Sequence, residues 1–263
     1  MIKICVAGAT GRMGSTLIRE AVERGFQIVG AVAAADDQNI GRTLDEAGIV
    51  NLNVPILQPS RLKEAVKEAD VYVTFTTPKA ELENLPIVAD LGKRIVMGTT
   101  GFTEDEMDRL VRTVSSRVPA VFAPNYALGI NILFKMIKTL SIFPEDYNFS
   151  IAEIHHIKKK DAPSGTAKKI GEIISKMRGY SKIVYGREGF SPRGRDELEV
   201  LSVRAGGVPG IHDIIIAGPH EMIRIEHVAF SRRVFAQGAL FAVEWIYRQS
   251  KPGVYSMDDV LSG

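Results

Sequence analysis

A chain of 263 residues has room for one large or two modest domains, and 45% apolar with 24% charged residues is ordinary for a globular protein. A formal net charge of only +2 gives no reason to expect a nucleic-acid or membrane-surface partner. The single cysteine, Cys5, excludes an internal disulfide, and its place in an apolar run reads as buried packing. No basic stretch followed by a signal-type apolar run opens the sequence, and no apolar run approaches ~20 residues, so the expected location is the cytoplasm.

Residues 2–7 read as a buried strand that runs into Gly8-Ala9-Thr10-Gly11-Arg12-Met13-Gly14, with a helix expected over 12–24. Glycines at this spacing permit a tight turn and close approach of backbone to a pyrophosphate, and the helix N-terminus adds unpaired N–H groups and positive dipole. A glycine-rich turn alone is weak evidence; placed between a strand and a helix, it points to a dinucleotide. The next strand, expected over 27–33, should end near an acid for the ribose 2′-hydroxyl. Asp36 is the candidate, set a few residues late, and the alternative is a solvated loop acid.

Strands then alternate with helices: a helix over 61–68, a strand over 71–75, a helix over 81–91, a strand over 94–97, a helix over 104–115 and a strand over 120–122. This alternation predicts a parallel α/β sheet with right-handed crossovers. Two Gly/Thr-rich loops, 74–78 and 98–102, fall at strand C-termini, where such sheets bind ligands. They read as contacts for nicotinamide or ribose, or else as strand-to-helix turns capped by Thr.

After Asn125 the pattern changes. A helix is expected over 128–140, a strand over 148–155 and a helix over 167–177. Strand-like runs then follow one another at 197–203, 213–217 and 222–228, which predicts an α+β unit with a mostly antiparallel sheet. Residues 186–195 (GREGFSPRGR) read as a basic loop. The last helix, over 233–248, is expected to return to the first domain.

The densest chemistry is the run from Glu153 to Ala167, EIHHIKKKDAPSGTA. Adjacent His155 and His156 on an ideal strand face opposite sides, so at most one faces a ligand unless the strand ends there. Pro163-Ser164-Gly165-Thr166 opens a helix, a second N-terminus suited to an anion. Three lysines beside it make an electropositive pocket for one or two carboxylates. That charge lowers the pKa of a neighbouring histidine, and a histidine poised near neutrality can donate a proton. The competing reading is a solvated basic turn with a capped helix. No Cys or carboxylate cluster completes a zinc site around the histidines, so no metal is expected. His212, His220 and His227 read as structural or exposed.

On these motifs the chain resembles the 4-hydroxy-tetrahydrodipicolinate (dihydrodipicolinate) reductase family. The blocks GATGRMG, GTTGF, FAPNYALGIN, EIHHIKKKDAPSGTA, SVRAGG and SRRVFAQGA occur in the family's order over nearly the whole chain. The resemblance implies a Rossmann dinucleotide-binding domain over 1–126, completed by 236–263. It implies a substrate-binding and tetramerisation domain over 127–235. Gly8, Ala9, Thr10, Gly11, Arg12 and Met13, with Gly98, Thr99, Thr100, Ala123, Pro124, Asn125 and Tyr126, would contact NADH or NADPH. His155 would be the proton donor and Lys159 the second catalytic residue. His156, Lys159, Gly165 and Thr166 would hold the carboxylates of a small cyclic imine dicarboxylate, and the chain would form a homotetramer.

Three positions depart from the family pattern: Ala33 and Ala34 stand where Glu then Arg are frequent, Thr74 where Asp is frequent, and Gly210-Ile211-His212 replaces Gly-Glu-His. The first leaves the choice between NADH and NADPH open. Two competing readings of the sequence stand beside this one. Another dehydrogenase of the aspartate pathway, in its semialdehyde form, would need a nucleophilic cysteine, and Cys5 lies before the glycine loop. A non-enzymatic dinucleotide sensor would have no need of the His-Lys-Gly block.

Overall fold

The buried apolar runs of the first half, too short for helices and bounded by glycine and polar turns, become the strands β1 (Lys3–Ala7), β2 (Gln27–Val32), β3 (Ile56–Leu57), β4 (Val71–Thr74), β5 (Arg94–Met97) and β6 (Pro119–Phe122). With β12 (Gly253–Tyr255) they form one sheet in the order β12-β6-β5-β4-β1-β2-β3, and every pairing is parallel. The helices between them are α1 (Arg12–Glu23), α2 (Leu62–Ala65), α3 (Pro78–Asp90) and α4 (Glu104–Ser115). The computed structural model describes residues 1–263 as two units, Met1–Ala127 with Arg233–Gly263, and Leu128–Arg232.

β1 and β4 are neighbours although β2 and β3 intervene in the chain, so the strand order reverses between them. That reversal opens a crevice at the strand C-termini, where open α/β sheets bind ligands. The core beneath it includes Cys5, Tyr72, Leu85, Ile95 and Met97. Burial raises the pKa of the Cys5 thiol, so it stays protonated and acts as a packing group. Helix α7 (Arg233–Tyr247) packs on α1, where Gln237 donates to Glu20 at 3.1 Å. Short α8 (Met257–Ser262) follows β12. No helix of the chain is long and apolar enough to cross a membrane.

The second unit carries α5 (Leu128–Thr139), β7 (Asn148–His155), α6 (Gly165–Arg178), β8 (Lys182–Val184), β9 (Glu197–Arg204), β10 (Gly210–Ala217) and β11 (Met222–Ala229). Its sheet has the order β11-β10-β7-β9-β8 and is mixed, which corrects the expectation of a mostly antiparallel one. The β10 pairings with β7 and β11 are antiparallel, whereas β9 runs parallel to both β7 and β8. The expectation assumed hairpins between successive runs. Only β10 and β11 are so joined; β7 reaches β9 through α6 and β8, and a long loop separates β8 from β9. Connections of that length carry parallel strands. The expected helix over 61–68 is also shorter, a 3-10 turn at Pro59–Arg61 followed by α2.

Candidate functional site

The glycine loop closes the crevice at the end of β1. Gly8 has φ +73°, and a Cβ there would stand 2.4 Å from the Phe75 carbonyl oxygen. At Gly14 a Cβ would stand 2.0 Å from the Gly8 carbonyl oxygen, so the turn admits side chains at neither position. Gly11 is the N-cap of α1 and no side chain caps it. The first N–H groups of α1 therefore have no side-chain acceptor, which fits a pyrophosphate. Ala9 is buried, Met13 half-buried and Arg12 exposed on the first turn.

The acid tied to this loop is Asp37. Its carboxylate accepts from the Thr10 hydroxyl at 2.6 Å and from the backbone and side chain of Asn39 at 2.8 and 3.0 Å. The Thr10 bond is the main reason its pKa lies below the usual range. Asp36, the candidate read from the sequence, is exposed.

The two Gly/Thr loops are sewn together by a residue that the sequence reading missed. Glu81, fully buried on α3, accepts on Oε1 from the hydroxyls of Thr74 (2.7 Å), Thr76 (2.5 Å) and Thr99 (2.5 Å). Thr99 also accepts from the Thr76 backbone N–H at 2.9 Å. Burial raises the Glu81 pKa, and the three hydroxyls oppose that. A carboxylate one turn into α3 thus gathers the two loops. The helix caps are Thr77 and Thr103, not the threonines of 74, 76, 99 or 100. Gly98 makes room for the Phe75 ring, whose Cε1 would lie 2.1 Å from a Cβ there.

Thr100 and Pro124 are exposed, Ala123 is buried, and Asn125 accepts from the Ala127 N–H at 2.8 Å. The Tyr126 hydroxyl donates within the core to the carbonyls of Met97 and Val121, and its ring meets Phe75 edge-on. Tyr126 therefore braces the loop rather than presenting its hydroxyl to a ligand.

In the second unit the strand alternation itself builds the site. Phe149, Ile151, Glu153 and His155 share the buried face of β7, so one face passes from core to polar within four residues. Register carries this polar end across the sheet: Ser202, Glu153, His212 and His227 form one row, and Arg204 lies opposite His155 in the next. His155 Nδ1 hydrogen-bonds Glu153 Oε2. Arg204 donates to both Glu153 oxygens, at 3.0 and 2.9 Å, and the Ser164 N–H donates to Oε1 at 3.2 Å. Desolvation raises the Glu153 pKa, but hydrogen bonds from Arg204, Ser202 and His155 outweigh it and hold the group below the usual range.

Burial lowers the His155 pKa; Glu153 opposes this, while the charges of Lys159 and Arg204 add to it. His212, fully enclosed beside it, has its pKa pushed down to about 3, mainly by burial. Its Nε2 lies 3.1 Å from the Ser164 hydroxyl, and its ring meets His155 edge-on at 5.1 Å. His212 thus belongs to the surroundings of His155, His227 lies next in the row, and His220 is exposed.

β7 ends at His155, and His156 follows half-buried. Ser164 caps α6 by accepting from the Ala167 N–H, and Gly165 opens the helix with open space where a Cβ would sit. Thr166 follows in the first turn. Of the three lysines, Lys158 and Lys160 are exposed, whereas Lys159 is 22% exposed with Nζ 2.8 Å from Asp161 Oδ1. Arg204 reaches the Asp161 carbonyl at 2.6 Å and ties this loop to β9. No group of three or more His, Cys, Asp or Glu side chains is placed to hold a metal ion.

Glu153, Arg204 and His212 were missed as a set because they lie far apart in sequence. The signal for Glu153 was present: two residues before His155, it shares the same face of a strand.

A parallel sheet with a glycine turn at its point of reversal, joined in one chain to a buried histidine beside a helix N-terminus, is the build of a dinucleotide-dependent oxidoreductase. The family models for the dihydrodipicolinate reductase N-terminus and C-terminus match residues 2–126 and 129–261. A 4-hydroxy-tetrahydrodipicolinate reductase of Methanosarcina barkeri is 43% identical over 99% of both chains. That of Methanopyrus kandleri is 41% identical over 100% of this chain and 98% of its own. A solved dipicolinate-bound dihydrodipicolinate reductase from Paenisporosarcina sp. TG-14 superposes with a TM-score of 0.75 at 25% identity, covering 97% of each chain.

The chain belongs to the dihydrodipicolinate reductase family. It is an NAD(P)H-dependent oxidoreductase that reduces 4-hydroxy-tetrahydrodipicolinate to tetrahydrodipicolinate in lysine and diaminopimelate biosynthesis. This decides among the three readings of the sequence in favour of the first.

Proposed function

We propose that the first unit holds the reduced dinucleotide along Gly8, Ala9, Thr10, Gly11, Arg12 and Met13, the loops at Gly98, Thr99 and Thr100, and the segment Ala123, Pro124, Asn125 and Tyr126. The second unit holds the cyclic imine dicarboxylate through His156, Lys159, Gly165 and Thr166. When bound, the dinucleotide supplies a hydride. His155 supplies the proton from Nε2, and Lys159 neutralises a substrate carboxylate. The single observation that carries this assignment is the Glu153–His155 pair ending β7 beside the N-terminus of α6. The dipicolinate bound to the solved relative supports a ring dicarboxylate as the ligand class. With a reduced dinucleotide as co-substrate, the expected place of work is the cytoplasm.

The test supplies substrate with dihydrodipicolinate synthase and follows NAD(P)H oxidation. Pyridine-2,6-dicarboxylate should raise the melting temperature in the presence of NADH and compete with substrate. If it does neither, the dicarboxylate site is misplaced.

Both NADH and NADPH are expected to serve. The Asp37 carboxylate beside Thr10 repels a 2′-phosphate, while exposed Arg12 on the same loop is free to swing and pair with one. Each effect is worth about 1 kcal/mol at a partly exposed site, so they nearly cancel. The kcat/KM values for the two cofactors at one salt concentration should agree within ~30-fold, about 2 kcal/mol. Arg12→Ala should weaken NADPH and spare NADH; equal losses would exclude Arg12 as the phosphate partner.

A homotetramer is expected through the second unit's sheet. On the face turned away from Glu153 and His155, Leu201, Val203 and Met222 are exposed. These apolar side chains, left open to water beside the Arg224–Asp213 and Arg224–Glu226 ion pairs on the same face, favour burial against another copy. Light scattering at micromolar concentration should give four times the chain mass of 28.8 kDa, and a single-chain mass would refute it.

A further inference from the structure

We infer that Glu153 is a positioning residue for His155: it holds the imidazole with its proton on Nδ1, leaves Nε2 as the exchanging atom, and locks the ring to the start of α6. The inference rests on the reading of His155 as proton donor and deepens it.

Glu153 is fully buried, yet it is ionised, because Arg204 supplies a paired positive charge and both carboxylate oxygens receive donors. An ionised carboxylate only accepts hydrogen bonds, so the His155 nitrogen against it must carry a proton. That nitrogen is Nδ1. The remaining nitrogen, Nε2, meets the backbone at Gly210, where even a Cβ would come within 3.0 Å of it. Glycine at 210 therefore keeps the exchanging atom clear. The same Glu153 carboxylate accepts from the Ser164 N–H, and Ser164 caps α6. One buried carboxylate thus fixes the ring relative to the helix end that would receive a substrate carboxylate.

The charges around His155 come from every neighbouring element. Glu153 lies on its own strand, Arg204 on β9, His212 on β10 and Lys159 on the following loop, where Asp161 pairs with Lys159; His227 stands beyond His212 on β11. Among the groups acting on His155, burial, Lys159 and Arg204 disfavour the imidazolium, and Glu153 favours it. Removing the Glu153 charge leaves the others unopposed. A proton donor is active in its protonated form, so the pH above which kcat falls must then move down.

The experiment compares full-chain wild type, Glu153→Gln, Glu153→Asp and His155→Gln. Glu153→Gln should lower kcat about tenfold at neutral pH, with cofactor KM unchanged, and should shift the falling limb down by about one pH unit. One unit in a donor pKa is a factor of ten in its protonated fraction. Glu153→Asp, which keeps the charge, should reverse part of that shift. Nitrogen-15 NMR of histidine-labelled wild type, with His155→Gln identifying the signal, should show the Nδ1–H form. An Nε2–H form in the wild type overturns the inference even if no Glu153 variant folds. An unshifted limb in folded Glu153→Gln, beside an inactive His155→Gln, overturns the inference alone. Full turnover in His155→Gln overturns the donor reading and the inference with it.

Discussion

His155→Ala should lower kcat by roughly 10²–10⁴-fold, the usual worth of a positioned general acid. The chain should still fold. His155 is the last residue of β7, and its removal leaves Glu153 paired with Arg204 and Ser164, so no buried charge is stranded. The loss should appear in kcat rather than in the KM for either nicotinamide cofactor, because the dinucleotide contacts proposed here lie in the other unit. Steady-state kinetics with circular dichroism of the purified variant test this. A folded His155→Ala with near-wild-type turnover would remove His155 from the chemistry.

The first unit was largely legible because its signals are local. A buried apolar run, a glycine turn and an amphipathic helix follow one another within about two dozen residues, and short parallel crossovers then leave few topologies. What escaped were the elements with little pattern of their own: β3 with two residues, β8 and β12 with three each, and the short α8. Segments this short carry no periodicity and are set by the strand beside them. The mixed sheet escaped for another reason. Strand direction depends on what lies between strands, and the α6 crossover and the loop after β8 reverse the order that a hairpin reading assumes.

The site divides the same way. His155, Lys159 and the opening of α6 lie within one stretch and were readable from it. Glu81, Arg204 and His212 were not. Glu81 looks like an ordinary helix acid until the fold brings three hydroxyls onto one of its oxygens. Arg204 and His212 come to Glu153 only through strand register, which no single stretch of sequence contains. The acid beside the glycine loop shows how narrow the margin can be. β2 ends at Val32, and the following turn brings Asp37 rather than Asp36 to Thr10. Adjacent identical residues cannot be told apart without the backbone.

Lys159→Ala should lower kcat/KM on the order of 10²-fold, while Lys158→Ala and Lys160→Ala should change it less than about twofold; removing one preorganised charge-stabilising donor commonly costs 10²–10³-fold. The three side chains carry the same charge, and their surroundings differ. Lys158 and Lys160 are exposed, where water reduces a contact at ~4 Å to about 1 kcal/mol. Lys159 is 22% exposed, and the same contact there approaches ~4 kcal/mol at an effective dielectric near 20. Asp161, at 2.8 Å from its Nζ, neutralises part of that charge, so the expected loss stays below the upper figure. Desolvation raises the Asp161 pKa, but the hydrogen bond and charge of Lys159 outweigh it and hold the group below its usual range. Kinetics of the three alanine variants at two ionic strengths separate a site from a patch. A single lysine acting at short range gives one large, nearly salt-independent loss. Equal losses at all three positions that fade in high salt would mean that the run attracts the dicarboxylate only as a diffuse field.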